Sequence, residues 1–102
     1  MREDEFKNWL SSRLKKRSTK DCISRCKKAE KALQANLDIE YNIDNGTRVL
    51  NTMQYSIEDE KKGKEPPAGF SFKPNSSIRF GMTALRCAVN TYFKFCKEFP
   101  LK

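Results

Sequence analysis

The chain predicts an all-α fold, a small orthogonal bundle of four to five helices, on three observations. Ile78, Met82, Leu85, Val89, Tyr92 and Cys96 step by four, three, four, three and four residues without a break, the period of one helix face. Cys22, Ile23, Cys26, Ala29, Leu33 and Leu37 share one side of a helical wheel, with lysines opposite, so a second helix buries one face and wets the other. The alternating run Phe70-Ser71-Phe72-Lys73 lies in a connector rich in proline and glycine and finds no partner strand. At 102 residues, 37% apolar and 33% charged, the chain forms one domain with a single modest core.

The first helix is expected over about 3–16. Phe6, Trp9, Leu10 and Leu14 form its apolar face, and acidic residues in its first turn and Lys15, Lys16 and Arg17 at its end suit the helix macrodipole. Ser18-Thr19-Lys20-Asp21 reads as a capping box with aspartate at the third position, which opens a second helix over about 19–36. Glu30 falls on the apolar side of that helix and needs a cationic or hydroxyl partner, or a place at the domain edge. Asp44-Asn45-Gly46 is turn chemistry before a short helix over about 46–55 that offers Val49, Leu50 and Met53. Ser56-Ile57-Glu58-Asp59 repeats the capping-box pattern, opening a helix over about 57–62 that Gly63 ends. Residues 63–77, with Pro66, Pro67, Gly69 and Pro74, make the connector, from which Phe70 and Phe72 tuck against the core. The last helix covers about 78–98, with Ala84, Ala88 and Phe95 widening its apolar face.

Charge is partitioned along this plan. Residues 1–36 carry a balance of +6, residues 37–69 of −3 and residues 70–102 of +5, within a total of +8. If the two basic ends pack together they present one positive surface, which draws in polyanions and releases their counterions. Nucleic acid, duplex DNA in particular, is the expected partner. The loop before helix two and its outer face supply Arg13, Lys15, Lys16, Arg17, Lys20, Ser24, Lys27, Lys28 and Lys31, suited mainly to phosphates. The last helix supplies Arg79, Thr83, Arg86, Asn90 and Lys94, side chains that can read base edges. Alanine at both Arg79 and Arg86 is expected to weaken binding and spare the fold.

Other chemistries are poorly supplied. There is no histidine in the chain, hence no histidine-based acid–base pair or triad, and no glycine-rich phosphate loop follows a strand. Glu58, Asp59 and Glu60 point in different directions on a helix and read as a solvated face rather than a metal site. Cys22 and Cys26 lack a C-x-x-C partner pattern and read as small core hydrophobes, unpaired in a cytoplasmic setting. No catalysis, metal or cofactor is expected, no apolar run spans a membrane, and a monomer is expected. The competing reading is a protein-interaction module, a phage or mobile-element factor that acts on a nucleic-acid-processing protein, with Glu58–Glu60 as a docking patch.

Phe6-x-x-Trp9-Leu10, Ser18-Thr19-Lys20-Asp21-Cys22-Ile23-Ser24-Arg25, and the run from Ser77-Ile78-Arg79 through Ala84-Leu85-Arg86 to Tyr92-Phe93-Lys94-Phe95 together resemble the SAM-like core-binding domain at the N-terminus of phage integrases and other tyrosine recombinases. The resemblance covers both ends of the chain and not its middle, where residues 58–67 make a longer insertion than that family shows. It implies a helical bundle that clamps one side of a duplex, with Lys20, Ser24, Lys27, Lys28, Arg79, Thr83 and Arg86 facing DNA. It also implies a role in DNA recombination, with a catalytic domain in trans or in a larger protein from which this chain is a part.

Overall fold

In the computed structural model, residues 1–73 and 75–100 are described. They form an all-α bundle: α1 (Glu3–Ser11), α2 (Lys16–Leu33), α3 (Leu37–Asp44), α4 (Thr47–Thr52), α5 (Ile57–Lys61) and α6 (Ile78–Glu98). The described residues contain no strand, so Phe70–Lys73 is extended chain only. Pro74, part of the expected connector, lies outside the described residues.

Helix α6 is the axis. It packs against every other helix, most extensively against α2, and buries Met82, Leu85, Ala88, Val89, Tyr92, Phe93, Phe95 and Cys96. The unbroken three-four spacing dictates this stripe, and Ser77 caps the helix by accepting from the Phe80 N–H. Helix α2 runs antiparallel to it. At one end Lys28 and Gly81 both meet the Phe72 ring, and at the other Arg13 reaches Glu98. Cys26 Sγ donates to the Ala88 carbonyl at 3.3 Å between them. The connector threads close to α2: a Cβ on Gly69 would stand 2.1 Å from the Ala32 carbonyl oxygen, so only glycine fits. Phe70 is buried and Phe72 half-buried, as expected of them.

Three boundaries differ from expectation. Helix α1 stops at Ser11 instead of continuing to 16. Ser11 Oγ donates to the Lys7 carbonyl, Ser12 Oγ to the Trp9 carbonyl and the Arg13 guanidinium to that same oxygen, so side chains satisfy the carbonyls of the last turn and end the helix. Helix α2 begins at Lys16, three residues early, and Ser18 to Asp21 lie within its first turns rather than capping it. Its N-cap, Lys15, provides no side-chain cap.

The third difference is α3, a sixth helix where a loop was expected. Gln34 adopts a left-handed conformation (φ 52°) that ends α2. Asn36 then caps α3, its side chain accepting from the N–H groups of Asp38 and Ile39. Leu37 is therefore the first residue of α3, not the last of α2. Glu30 finds its cation: Oε2 lies 3.1 Å from the Met1 ammonium and accepts from the Leu37 N–H at 2.9 Å. The capping box of α5 is as expected, Ser56 and Asp59 each accepting from the other's N–H, and Gly63 follows in a left-handed conformation.

A polar knot fastens α3 and the N-terminal segment to α6. Tyr92 Oη donates to Asp38 Oδ1 at 2.8 Å and accepts from the Arg2 N–H at 2.9 Å, while the Arg2 guanidinium pairs with the same carboxylate oxygen at 3.0 Å. Phe6 stands edge-on to Tyr92, 4.8 Å between ring centres. Burial, then the Asp38 carboxylate, raises the Tyr92 phenol above its ordinary pKa, and burial and Asp38 push the Cys96 thiol up to about 12. Tyr92→Phe leaves Asp38 short of a donor in the interior and should cost about 1–3 kcal/mol in urea unfolding near neutral pH. A raised folded-state pKa stabilises fully below the unfolded value, about 10 for tyrosine, and is lost as pH rises through the folded one. The wild type should therefore lose more stability above about pH 10 than Tyr92→Phe does.

Candidate nucleic-acid interface

The N-terminus of α2 is built against local preference. Lys15 occupies the N-cap with extended backbone, Lys16 and Arg17 follow, and the first turn holds no acidic residue. Helix N-termini carry a partial positive charge and favour anions, so three cations here oppose the macrodipole. Beyond them, Lys20, Ser24, Lys27, Lys28 and Lys31 are all exposed along the outer side of the same helix, about 27 Å long at 1.5 Å per residue. Lys27 pairs with Glu3 of α1. Among the described residues Lys15, Lys16, Arg17, Lys20, Lys28 and Lys31 have no carboxylate within 4.0 Å. Lys28 Nζ lies 5.1 Å from the Phe72 ring centre.

Arg13 is committed elsewhere. Its guanidinium stacks 4.0 Å over Trp9 and reaches Glu98 at 3.5 Å, holding the turn between α1 and α2 against the end of α6.

The last-helix candidates do not join the α2 row. Lys16, Lys20, Ser24 and Lys27 line a groove of about 590 Å³ between α1 and α2, with Lys7, Asp4 and Glu3 on its other wall. Thr83, Arg86 and Asn90 line a separate hollow of about 250 Å³ with Leu50, Met53 and Tyr55. The cleft between α2 and α6 holds none of the candidates; Ser18, Asp21, Cys22, Arg25, Cys87 and Thr91 are among its lining. The two helices pack together, and the two basic stripes line different hollows, with Cys87 between the α6 stripe and the α2–α6 cleft. Lys94 is exposed on α6.

Two of the α6 residues also make contacts within the fold. Arg86 Nε donates to the Leu50 carbonyl at 3.2 Å, tying α4 to α6. Arg79 is half-buried; its N–H donates to Glu60 Oε2 at 3.3 Å, and Nε lies 3.7 Å from Oε1. Alanine at Arg86 would remove the bond to Leu50, and alanine at Arg79 would remove the ion pair with Glu60 while keeping the backbone bond to it. Within the acidic trio Glu58 and Glu60 are exposed, as a solvated face requires, while Asp59 caps α5 and Glu60 also accepts from Ser77 Oγ at 2.7 Å at the start of α6.

Residues that sequence reasoning passed over are Lys7 and Asp4, which reach the site only because α1 folds back antiparallel to α2, and Arg25 in the α2–α6 cleft. The Glu3–Lys27 pair at one end and the short turn at the other set that register. No periodicity within α1 alone distinguishes Lys7 from any other solvated lysine. Comparison with protein-family models, curated proteins and solved structures returns no match for the chain. No helix among the described residues is long and apolar enough to cross a membrane.

The Ser77 hydroxyl, followed by the Arg79 N–H and guanidinium, holds the Glu60 carboxyl below its ordinary value of 4.5. A depressed folded-state pKa stabilises above the unfolded value and is lost as pH falls through the folded one. Glu60→Gln should therefore lower stability at neutral pH and flatten the loss of stability below pH 4.5, read by denaturant midpoints between neutral and acid pH.

Proposed function

We propose that this chain is a non-catalytic module that binds the phosphate backbone of duplex DNA through the outer face of α2 and the turn before it. The observation that carries the reading is the N-terminus of α2: three successive cations, no side-chain cap and no acidic residue, in a helix whose remaining exposed lysines are largely unpaired. Natural sequences break such local rules mainly where function needs it, and helix N-termini flanked by cations take phosphates. Net charge alone explains solubility; it does not explain cations placed where they oppose the dipole. The resemblance to recombinase core-binding domains points the same way and adds a catalytic domain in trans as partner. In this reading Arg79 and Arg86 are structural, and α6 contributes little to DNA contact beyond Lys94.

The test couples binding to stability. Lys15→Ser installs the missing cap and Lys16→Glu complements the dipole, together stabilising the fold by about 1–2 kcal/mol. The same pair of changes should weaken binding to a labelled random-sequence duplex, measured by fluorescence anisotropy. For the wild type, affinity should fall with salt at a slope of about −0.9 per phosphate neutralised. The double variant should show a shallower slope. A variant that gains stability and keeps the wild-type slope contradicts the reading.

A further inference from the structure

The α1–α2 groove has a polarity that a simple phosphate-tracking surface does not need. At the turn end stand Lys16 and Lys20, beside the uncapped N-terminus of α2. At the far end Lys27 is neutralised by Glu3, and Asp4 has no cationic partner among the described residues. Leu14 and Ile23 give the wall between them an apolar stretch. Thr19 also lines the groove, is 4% exposed, and its Oγ1 has no hydrogen-bond partner among the described residues. An orphaned buried hydroxyl is costly, and in a groove of ligand size it marks a place where a bound group supplies the missing bond.

We infer that this groove holds one nucleotide unit bearing a terminal phosphomonoester: the phosphate at Lys16, Lys20 and the α2 N-terminus, where it accepts from the Thr19 hydroxyl, the sugar and base over Leu14 and Ile23, and an amino group of the base toward Asp4. A terminal phosphate approaches two negative charges near neutral pH, which suits two lysines and a helix N-terminus better than an internal phosphodiester does. The inference rests on the proposed DNA-binding reading, in which the natural source is a 5′-phosphorylated strand end; a free mononucleotide carries the same chemistry.

The experiment uses five probes on the full chain: deoxyadenosine 5′-monophosphate, deoxyadenosine, a duplex with 5′-phosphate ends, the same duplex with 5′-hydroxyl ends, and a dumbbell duplex closed by hairpins. The monophosphate should bind at least about tenfold more tightly than the nucleoside, the worth of about 1.4 kcal/mol. Lys16→Gln with Lys20→Gln should abolish that difference. Thr19→Val should weaken the monophosphate while leaving the melting temperature unchanged or higher, since it removes an unsatisfied hydroxyl and keeps the volume. Tighter binding of the 5′-phosphorylated duplex than of its 5′-hydroxyl form assigns the source as a strand end; equal binding with the monophosphate retained assigns a free nucleotide. Monophosphate and nucleoside binding alike, or neither binding, overturns the inference. The dumbbell, which has no ends, separates the two claims: salt-sensitive dumbbell binding without monophosphate binding leaves the DNA reading standing and this site refuted, and the reverse pattern refutes the DNA reading alone.

Discussion

The buried carboxylate of Asp38 is the constraint on which the arrangement of this bundle depends. A charge taken out of water is tolerated only when it is paired and hydrogen-bonded. Asp38 meets that condition through Arg2 from before α1 and Tyr92 from the middle of α6. Three segments far apart in sequence must therefore converge on one point. The Phe6, Tyr92 and Phe95 rings close around it, so an apolar box surrounds a polar knot. With the start of α1 pinned there and Glu3 paired to Lys27, α1 lies against α2 and the groove forms between them.

Much of the chain's negative charge is used inside the molecule. Asp38 and Glu40 pair with Arg2 and Arg48, Asp44 accepts from the N–H groups of Gly46 and Arg48, Glu30 accepts from the Leu37 N–H, Asp59 caps α5, and Glu60 anchors the start of α6. Cations outnumber carboxylates, and the surplus is concentrated on α2. Like charges at helical spacing cost stability in small increments, and cations at a helix N-terminus add to that cost. A polyanion on that face would relieve the repulsion.

What was legible in the sequence followed from whether a signal was local and unopposed. The α6 stripe repeats without interruption, so periodicity alone places it. Ser56 and Asp59 form a reciprocal box that needs no tertiary partner. The α1–α2 junction misled because Ser18-Thr19-Lys20-Asp21 carries the same pattern in a place where packing of Cys22, Ile23 and Cys26 extends the helix back over it. The true stop, Ser11-Ser12-Arg13, works through side chains competing for carbonyls and has no strong compositional mark. Helix α3 was hidden because α2 ends on Gln34 in a left-handed conformation, a place usually signalled by glycine. The basic faces were legible residue by residue, but their placement was not: a helical wheel shows which residues share a face and says nothing about which neighbour each flank meets. Such a wheel shows Arg79 and Arg86 on one face and gives no sign that they also meet Glu60 and the Leu50 carbonyl.

In the proposed complex a duplex meets the outer face of α2 and not the stripe on α6. The most direct measurement is the ¹⁵N–¹H correlation spectrum of the labelled protein titrated with a short duplex at low salt. Binding through α2 should give chemical-shift changes concentrated in residues 12–31, with Thr83, Arg86 and Asn90 unmoved. Changes centred on that α6 stripe, or a spectrum that the duplex leaves unchanged, would contradict it.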